Sequence, residues 1–286
     1  MTERVNRVLS RTALHAVVIF IALLWLVPTI GVLVTSFRPA QNVAQSGWWT
    51  VFWGISDSVR FTLNNYRIVL SKLGIGRAFL NSFVITIPAT LIPLGIALFA
   101  AYALSWMRFF ARATIFMIMV ALLVVPFQMT FIPILRIFNK TGLAGTFPGI
   151  WLAHTGYGLP LAIYMLYNYI SGLPKELFDS ASIDGANAFY IFLRIVLPLS
   201  IPIIASLTIF QFLWVWNDLL VALIYLGGTP DVAPVTVQIS SLVGSYGQDW
   251  ELLTAAVFIS IIPSLAVFFG LQRYFVRGIL AGSIKG

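Results

Sequence analysis

The stretch DSASIDGANAFYIFLRIVLPLS, residues 179–200, decides how this chain is read. It is a polar, organised segment set between two long apolar runs. It holds two acids, Asp179 and Asp184, a glycine in a helix-like context, Gly185, and a closing Leu197-Pro198. Upstream, Ser-Gly-Leu-Pro at 171–174 predicts a loop and then a short helix over 175–183. Gly185 permits a sharp turn. A second helix over about 187–196 carries Phe189, Phe192 and Ile195 at helical spacing, and Pro198 ends it. The small residues Ser180, Ala181, Ser182, Gly185 and Ala186 let another protein approach closely. The pattern predicts a helix-turn-helix knob on a membrane surface. The rival reading, an amphipathic connector lying on headgroups, is disfavoured by two acids facing an anionic surface.

The rest of the chain sets this segment in a membrane. Of 286 residues, 60% are hydrophobic and only 9% are charged, and the mean hydropathy is +0.96. Soluble domains carry roughly 25% charged residues. One soluble core cannot hide so much apolar surface, so the fold class is an all-α integral membrane protein. Zero cysteines exclude disulfides, thiolate metal sites and cysteine nucleophiles. The net charge of +8 has no soluble basic domain to carry it toward nucleic acid, and basic flanks orienting helices explain it better.

A spanning helix needs about 20 apolar residues. Six stretches free of Asp, Glu, Lys and Arg qualify, 12–37, 78–107, 113–135, 141–174, 195–217 and 252–272, and around them the predicted spans are 13–37, 78–106, 113–135, 150–171, 199–226 and 252–275 of a single transmembrane domain, 1–286. The first follows Arg4, Arg7 and Arg11 but is too long for a signal peptide, and reads as an uncleaved anchor. With six spans both ends share a side. Cytoplasmic ends place ten Lys and Arg inside and seven outside, five of the seven in the long 38–77 connection, which weighs little in the rule. The knob then lies in a cytoplasmic loop, 172–198, and 277–286 is a cytoplasmic tail. Outside, GWWTVFWG at 47–54 suits a membrane interface or a docking surface. Prolines inside the spans, Pro28, Pro88, Pro93, Pro126, Pro133 and Pro263, each remove a backbone donor, and the carbonyls they free need other partners in lipid.

Polar residues at membrane depth are candidates for a pathway. Asp218 follows Trp214, Trp216 and Asn217 in WVWNDLL. Trp214 and Asp218, four apart, share a helix face, and Trp216 points elsewhere. Aromatic rings take the C–H faces of sugars while Asn217 and Asp218 would take hydroxyls; an interhelical anchor is the competing role. Gln128, between Pro126 and Pro133, lines a pore or bonds a neighbouring helix. His15 and His154 form no metal-like cluster, and no metal site is expected.

The segment 179–200 resembles the "EAA" cytoplasmic loop of permease subunits in binding-protein-dependent ABC importers. That pattern is Glu-Ala-Ala, three residues, Gly, nine residues, Ile-x-Leu-Pro. Here Asp179-Ser180-Ala181, then Gly185, then Ile195-Val196-Leu197-Pro198 keep the spacing throughout. Asp179 shortens the reach of the usual Glu, and Ser180 replaces an Ala. VVPFQMTFIPILRIFNKTGLAGT, GLPLAIYMLYNYISGLPKEL, FQFLWVWNDLL and the ending QRYFVRGILAGSIKG are similar to the carbohydrate branch of these permeases, and more narrowly to the maltose-type second subunit.

The resemblance implies half of a transmembrane pore for an ATP-driven sugar importer. It implies a second permease as partner, giving a heterodimer, two ATPase subunits below, and an external sugar-binding protein that delivers the carbohydrate. ATP and Mg belong to the ATPase subunits; this chain has no G-x-x-x-x-G-K-[ST] cradle and is expected to be neither an enzyme nor a cofactor binder. Asp179, Ser180, Ala181, Asp184, Gly185, Ala186, Leu197 and Pro198 would form the knob that enters a cleft on an ATPase subunit. The tail, with Arg277, Gly278, Gly282 and Lys285, would contact the ATPase dimer interface; a frayed terminus is the ordinary alternative. The implied location is a bacterial or archaeal cytoplasmic membrane. A secondary transporter with Asp218 carrying a coupling proton is the first rival, though it leaves the knob without a purpose. A membrane enzyme is the second, and the scattered acids offer no catalytic constellation.

Overall fold

The computed structural model describes residues 2–53, 61–245 and 249–283. Among them the only regular elements are helices: α1 (Thr2–Ser36), α2 (Ala40–Gln45), α3 (Asn64–Ser71), α4 (Ile75–Trp106), α5 (Arg112–Leu122), α6 (Phe131–Thr141), α7 (Phe147–Ile170), α8 (Lys175–Ile183), α9 (Ala188–Ile191), α10 (Leu197–Leu199), α11 (Ile201–Trp216), α12 (Leu220–Leu226), α13 (Val235–Ser245) and α14 (Trp250–Ser283). Segments 11–36, 75–106 and 250–273 are long and apolar enough to cross a membrane, and up to five crossings result if each of two bent helix pairs counts as one. The chain divides into two compact units, 1–76 with 239–259 and 77–238 with 260–286.

In the first unit α1 is apolar all round beyond His15, and every residue from Arg11 to Ile30 is exposed. Such a helix needs lipid or another chain around it. Its end is pinned. The Asn65 amide donates to the carbonyls of Ser36 and Arg38, each at 2.9 Å. Arg38, itself buried, donates to the carbonyls of Ser46 and Asn42 at 2.9 and 2.8 Å and to the Ser46 hydroxyl. Burial pushes the Arg38 guanidinium below its ordinary pKa, but an arginine keeps its proton in proteins. The short 3₁₀ turn Trp48–Phe52 packs on α1 through Gly31, where a Cβ would sit 2.8 Å from the Trp48 indole nitrogen.

The second unit is built on α4, α7 and α11. Leu94, Ala97, Leu98, Ala101 and Tyr102 of α4 meet Ile163, Leu166 and Ile170 of α7 and Leu207 of α11 in one buried cluster, which continues into Phe178, Ile191, Phe192 and Val196. Ala97 and Ala101, four apart and fully buried, let the helices approach closely. A second cluster joins Ile85 and Ala89 of α4 to Phe131 and Phe138 of α6, Ile150 of α7 and Val221 and Tyr225 of α12.

Each proline that breaks the α4 ladder has its freed carbonyl answered by a neighbouring helix. Pro88 frees the Val84 carbonyl, four residues back, and the Trp151 indole N–H of α7 donates to it at 2.9 Å. Pro93 frees the Ala89 carbonyl, and the Gln211 amide of α11 donates to it at 3.1 Å. In α14 the Trp216 indole donates to the Ser260 carbonyl at 2.8 Å, one turn before Pro263. Trp151→Phe is therefore expected to cost about 0.6–1.7 kcal/mol, the range for interhelical hydrogen bonds in lipid. The cost should shrink when Pro88→Ala restores the N–H at position 88. A double-mutant cycle on thermal unfolding of the assembled protein checks this.

Several apolar runs are not single straight helices. The run 113–135 is carried by α5 and α6, which meet at 94°. Pro126 sits in the extended region between them, at φ −62° and ψ 112°. The second bend, 73°, lies at Ser200, between the 188–199 segment and α11. Pro202 there cannot bond back to residue 198 and crowds its carbonyl, so the break falls two residues beyond Pro198. Helix α7 begins at Phe147 rather than near Ile150, because the Thr146 hydroxyl accepts from the Gly149 N–H at 3.2 Å and caps it.

Candidate functional site

A cavity of about 540 Å³ opens among α4, α5, α7 and α11. Its wall is mostly apolar, including Pro93, Leu123, Pro160 and Phe210, with Thr130, Tyr157, Gln211 and Trp214 as polar handles. No lining residue is charged. The hydroxyl network at its edge has a determined direction. Thr130 donates its only proton to the Phe127 carbonyl at 2.6 Å, so it accepts from Tyr157 at 2.9 Å. The Tyr157 hydroxyl then accepts from Tyr225 at 2.6 Å.

Of the four pathway residues expected from the sequence, Trp214 lines the cavity and stands edge-on to the buried His154 ring at 5.3 Å and 87°. Gln128 is exposed on the 3₁₀ turn Phe127–Thr130, whose flanking residues face the cavity while it does not. The Asn217 amide bonds back to the Leu213 carbonyl at 2.8 Å. Asp218 accepts from the backbone N–H of Val221 and Ala222 at 3.2 and 2.9 Å. It caps α12, and its carboxylate lies 3.9 Å from His154 Nε2. The residues missed are Gln211, Tyr157 and Thr130. Gln211 did leave a signal, as the one amide inside the apolar run 195–216.

The second feature is the segment 172–198. Its base is fixed. Phe178 stacks on Trp106 of α4 with ring centroids 3.6 Å apart, and the Trp106 indole donates to the Ile170 carbonyl at 3.1 Å. The Tyr102 hydroxyl donates to the Ala188 carbonyl at 3.1 Å. Gly185 has φ +78° and closes α8 as a Schellman motif. The Ala186 N–H bonds the Ala181 carbonyl at 2.9 Å and the Gly185 N–H bonds the Ser182 carbonyl at 3.1 Å. Ala181 and Ala186 both pack on the buried cluster beneath. The Asn187 side chain then caps α9 by accepting from Tyr190 N–H at 2.8 Å. After α9 the chain widens to a π-turn over Phe192–Val196, where Pro198 leaves the Arg194 carbonyl without its helical donor. Leu197 is half-buried and Pro198 exposed.

The tip of this segment is open. Ile183 is 86% exposed and Phe189 62%. Asp179, Ser180 and Asp184 are exposed as well, with Asp179 3.7 Å from Lys175 one turn back. The tail residues Arg277, Gly278, Gly282 and Lys285 lie outside the residues whose side chains are described.

Apolar helices around an uncharged cavity, with a braced and exposed knob at one end of the bundle, define a membrane transport component. The chain belongs to the family of binding-protein-dependent transport system inner membrane components, which matches residues 92–281. It is 57% identical over 284 residues to an osmoprotective compounds uptake permease protein of Synechocystis sp., covering 99% of this chain and 95% of that one. It is 54% identical over 251 residues to an alpha-glucoside transport system permease protein of Rhizobium meliloti, covering 86% of this chain and 66% of that one. Its fold is similar to a chain in the crystal structure of a bacterial ABC transporter involved in import of the acidic polysaccharide alginate. The TM-score there is 0.77 at 22% identity, over 95% of this chain and 98% of that one.

Proposed function

We propose that this chain is one permease subunit of an ATP-driven importer of neutral, hydroxyl-rich solutes of the sugar or glucoside class. It forms half of the translocation pathway beside a second, related permease. Two partner ATPase subunits bind ATP and Mg, and an external binding protein delivers the solute. Six crossings with both termini cytoplasmic fit this role, and the tail 277–286 would lie at the ATPase interface.

The observation that carries the reading is the knob at 172–198. An apolar tip exposed to this degree is costly unless a partner covers it, and its base is locked to α4 by the Trp106–Phe178 stack and the Tyr102–Ala188 hydrogen bond. A rigid knob of that kind transmits a rigid-body motion. ATP binding must favour a state of the ATPases that grips the knob differently, or no coupling follows. The solute class rests on the cavity wall, where aromatic rings and uncharged polar groups stand without a single charge. An anionic sugar would leave its carboxylates unpaired there. The relatives named for osmoprotective compounds and alpha-glucosides support the same class.

The test is uptake by the reconstituted complex. Transport of an α-glucoside such as trehalose should require ATP and loaded binding protein, and should survive collapse of a proton gradient. Asp218→Asn should keep transport near the wild-type level, since the amide oxygen still caps α12. Loss of uptake in Asp218→Asn, together with a requirement for the proton gradient, would instead make Asp218 a proton carrier.

A further inference from the structure

Gln211 occupies a place no other cavity residue shares. It lines the cavity, and its amide donates to the one α4 carbonyl, Ala89, that Pro93 leaves without a helical donor. The carboxamide lies flat against α7 at Gly158, where an added Cβ would sit 2.6 Å from both its nitrogen and its oxygen. Three helices that wall the cavity therefore meet at this one group: α4 at the Ala89 carbonyl, α7 at Gly158 and α11 at Gln211 itself. Of the other polar groups at the wall, Thr130 and Tyr157 bond each other and Tyr225, and the Trp214 ring stands edge-on to His154. Along the chain, α11 follows the knob directly, across the bend at Ser200.

Resting on the function proposed above, we infer that Gln211 is the positioning residue that reports solute occupancy to the α4 hinge. A hydroxylated solute in the cavity competes for the Gln211 carboxamide. When a solute hydroxyl takes that amide, the Ala89 carbonyl loses its cross-helix donor and the kink at Pro93 is released. The empty cavity keeps the latch closed. The exchange leaves the Ala89 carbonyl without a donor, a penalty that the solute's own hydrogen bonds offset, and it is reversed when the solute leaves. Gly158 is glycine because any side chain there would displace the latch.

The experiment uses the whole transporter in lipid nanodiscs, with binding protein loaded with trehalose or left empty. Hydrogen exchange is followed in peptides spanning residues 89–97, alongside ATP hydrolysis. In wild type, loaded binding protein should speed exchange there by roughly two- to tenfold, the factor one hydrogen bond of ordinary net strength carries. Gln211→Leu should show the faster exchange already without solute, with no further response to it, and solute should no longer stimulate hydrolysis. Pro93→Ala added to Gln211→Leu restores the ladder N–H at position 93. Protection should return in that double variant while the solute response stays lost, which separates signalling from support. A Gln211→Leu transporter that still responds to solute in exchange and in hydrolysis overturns the inference alone. A wild-type transporter that no α-glucoside stimulates overturns the function on which it rests.

Discussion

Gly185→Val is expected to cut solute-stimulated ATP hydrolysis and uptake roughly five- to thirtyfold while the transporter still assembles. The cause is backbone conformation. No atom lies within 4 Å of where a Cβ would stand at Gly185, so the substitution meets open space. The difficulty is φ, which is +78°. A left-handed conformation costs an L-residue roughly 1–2 kcal/mol, and a β-branched side chain fits that region worst. The chain relieves the strain by turning φ negative, which breaks both Schellman hydrogen bonds, Ala186 to Ala181 and Gly185 to Ser182. It also moves the Asn187 cap, and with it the second helix of the knob. At 1.4 kcal/mol per tenfold, a penalty of this size empties the knob geometry that the ATPase must grip. Gly185→Asn should keep most activity, because asparagine tolerates the left-handed region, with Gly185→Ala in between. Stimulated hydrolysis across these three variants checks the order. Equal activity in all three would show that the turn geometry does not matter for coupling.

Gly158→Val is the second large effect, and it acts on the cavity instead of the knob. Its Cβ would lie 2.6 Å from the Gln211 carboxamide. That group is the far end of a flexible side chain, so the fold yields by moving it, and Gln211 leaves the Ala89 carbonyl. Overpacking of this kind costs about 1–3 kcal/mol of stability, and loss of the Gln211 bond to Ala89 is expected to lower transport by roughly two- to tenfold, the factor of one ordinary hydrogen bond. Gly156→Ala is the control. Gly156 also lines the cavity, but nothing lies within 4 Å of its added Cβ. It should lower uptake only slightly. Initial rates of trehalose uptake in proteoliposomes give the comparison. A similar loss in both variants would mean that cavity volume, and not the position of Gln211, sets the rate.

The two sites differ in how much of them the sequence discloses. The knob is legible because its parts are local. Asp179, Gly185 and Leu197-Pro198 are spaced along one continuous stretch, and a glycine after a short helix announces its own left-handed turn. The cavity is not legible in the same way. Gln211, Gly158 and Ala89 belong to three helices, and only packing brings them together. Each alone reads as a polar, a small and an apolar residue in apolar runs. Gln128 drew attention by lying between prolines, yet the bend at Pro126 turns it outward. Asp218 reads from the sequence as an acid inside a single helix over 199–226. The chain breaks after Trp216, and the Asp218 carboxylate, two residues ahead of α12, accepts from the Val221 and Ala222 N–H groups. The bend in 113–135 is hidden because no charge interrupts the run. The need for partners at proline-freed carbonyls is foreseeable from chemistry alone, but Trp151 and Gln211 as the donors are tertiary facts.

The most direct measurement on the central claim is the reactivity of a single thiol at the tip of the knob. The chain has no native cysteine, so Ile183→Cys places one reporter where exposure is 86%. Maleimide labelling of this position is compared in the complete transporter and in membranes stripped of the ATPase subunits. The account predicts rapid labelling in the stripped membranes, strong protection in the complete complex, and a change in that protection when ATP binds. Equal labelling in the two preparations, with or without ATP, would contradict it.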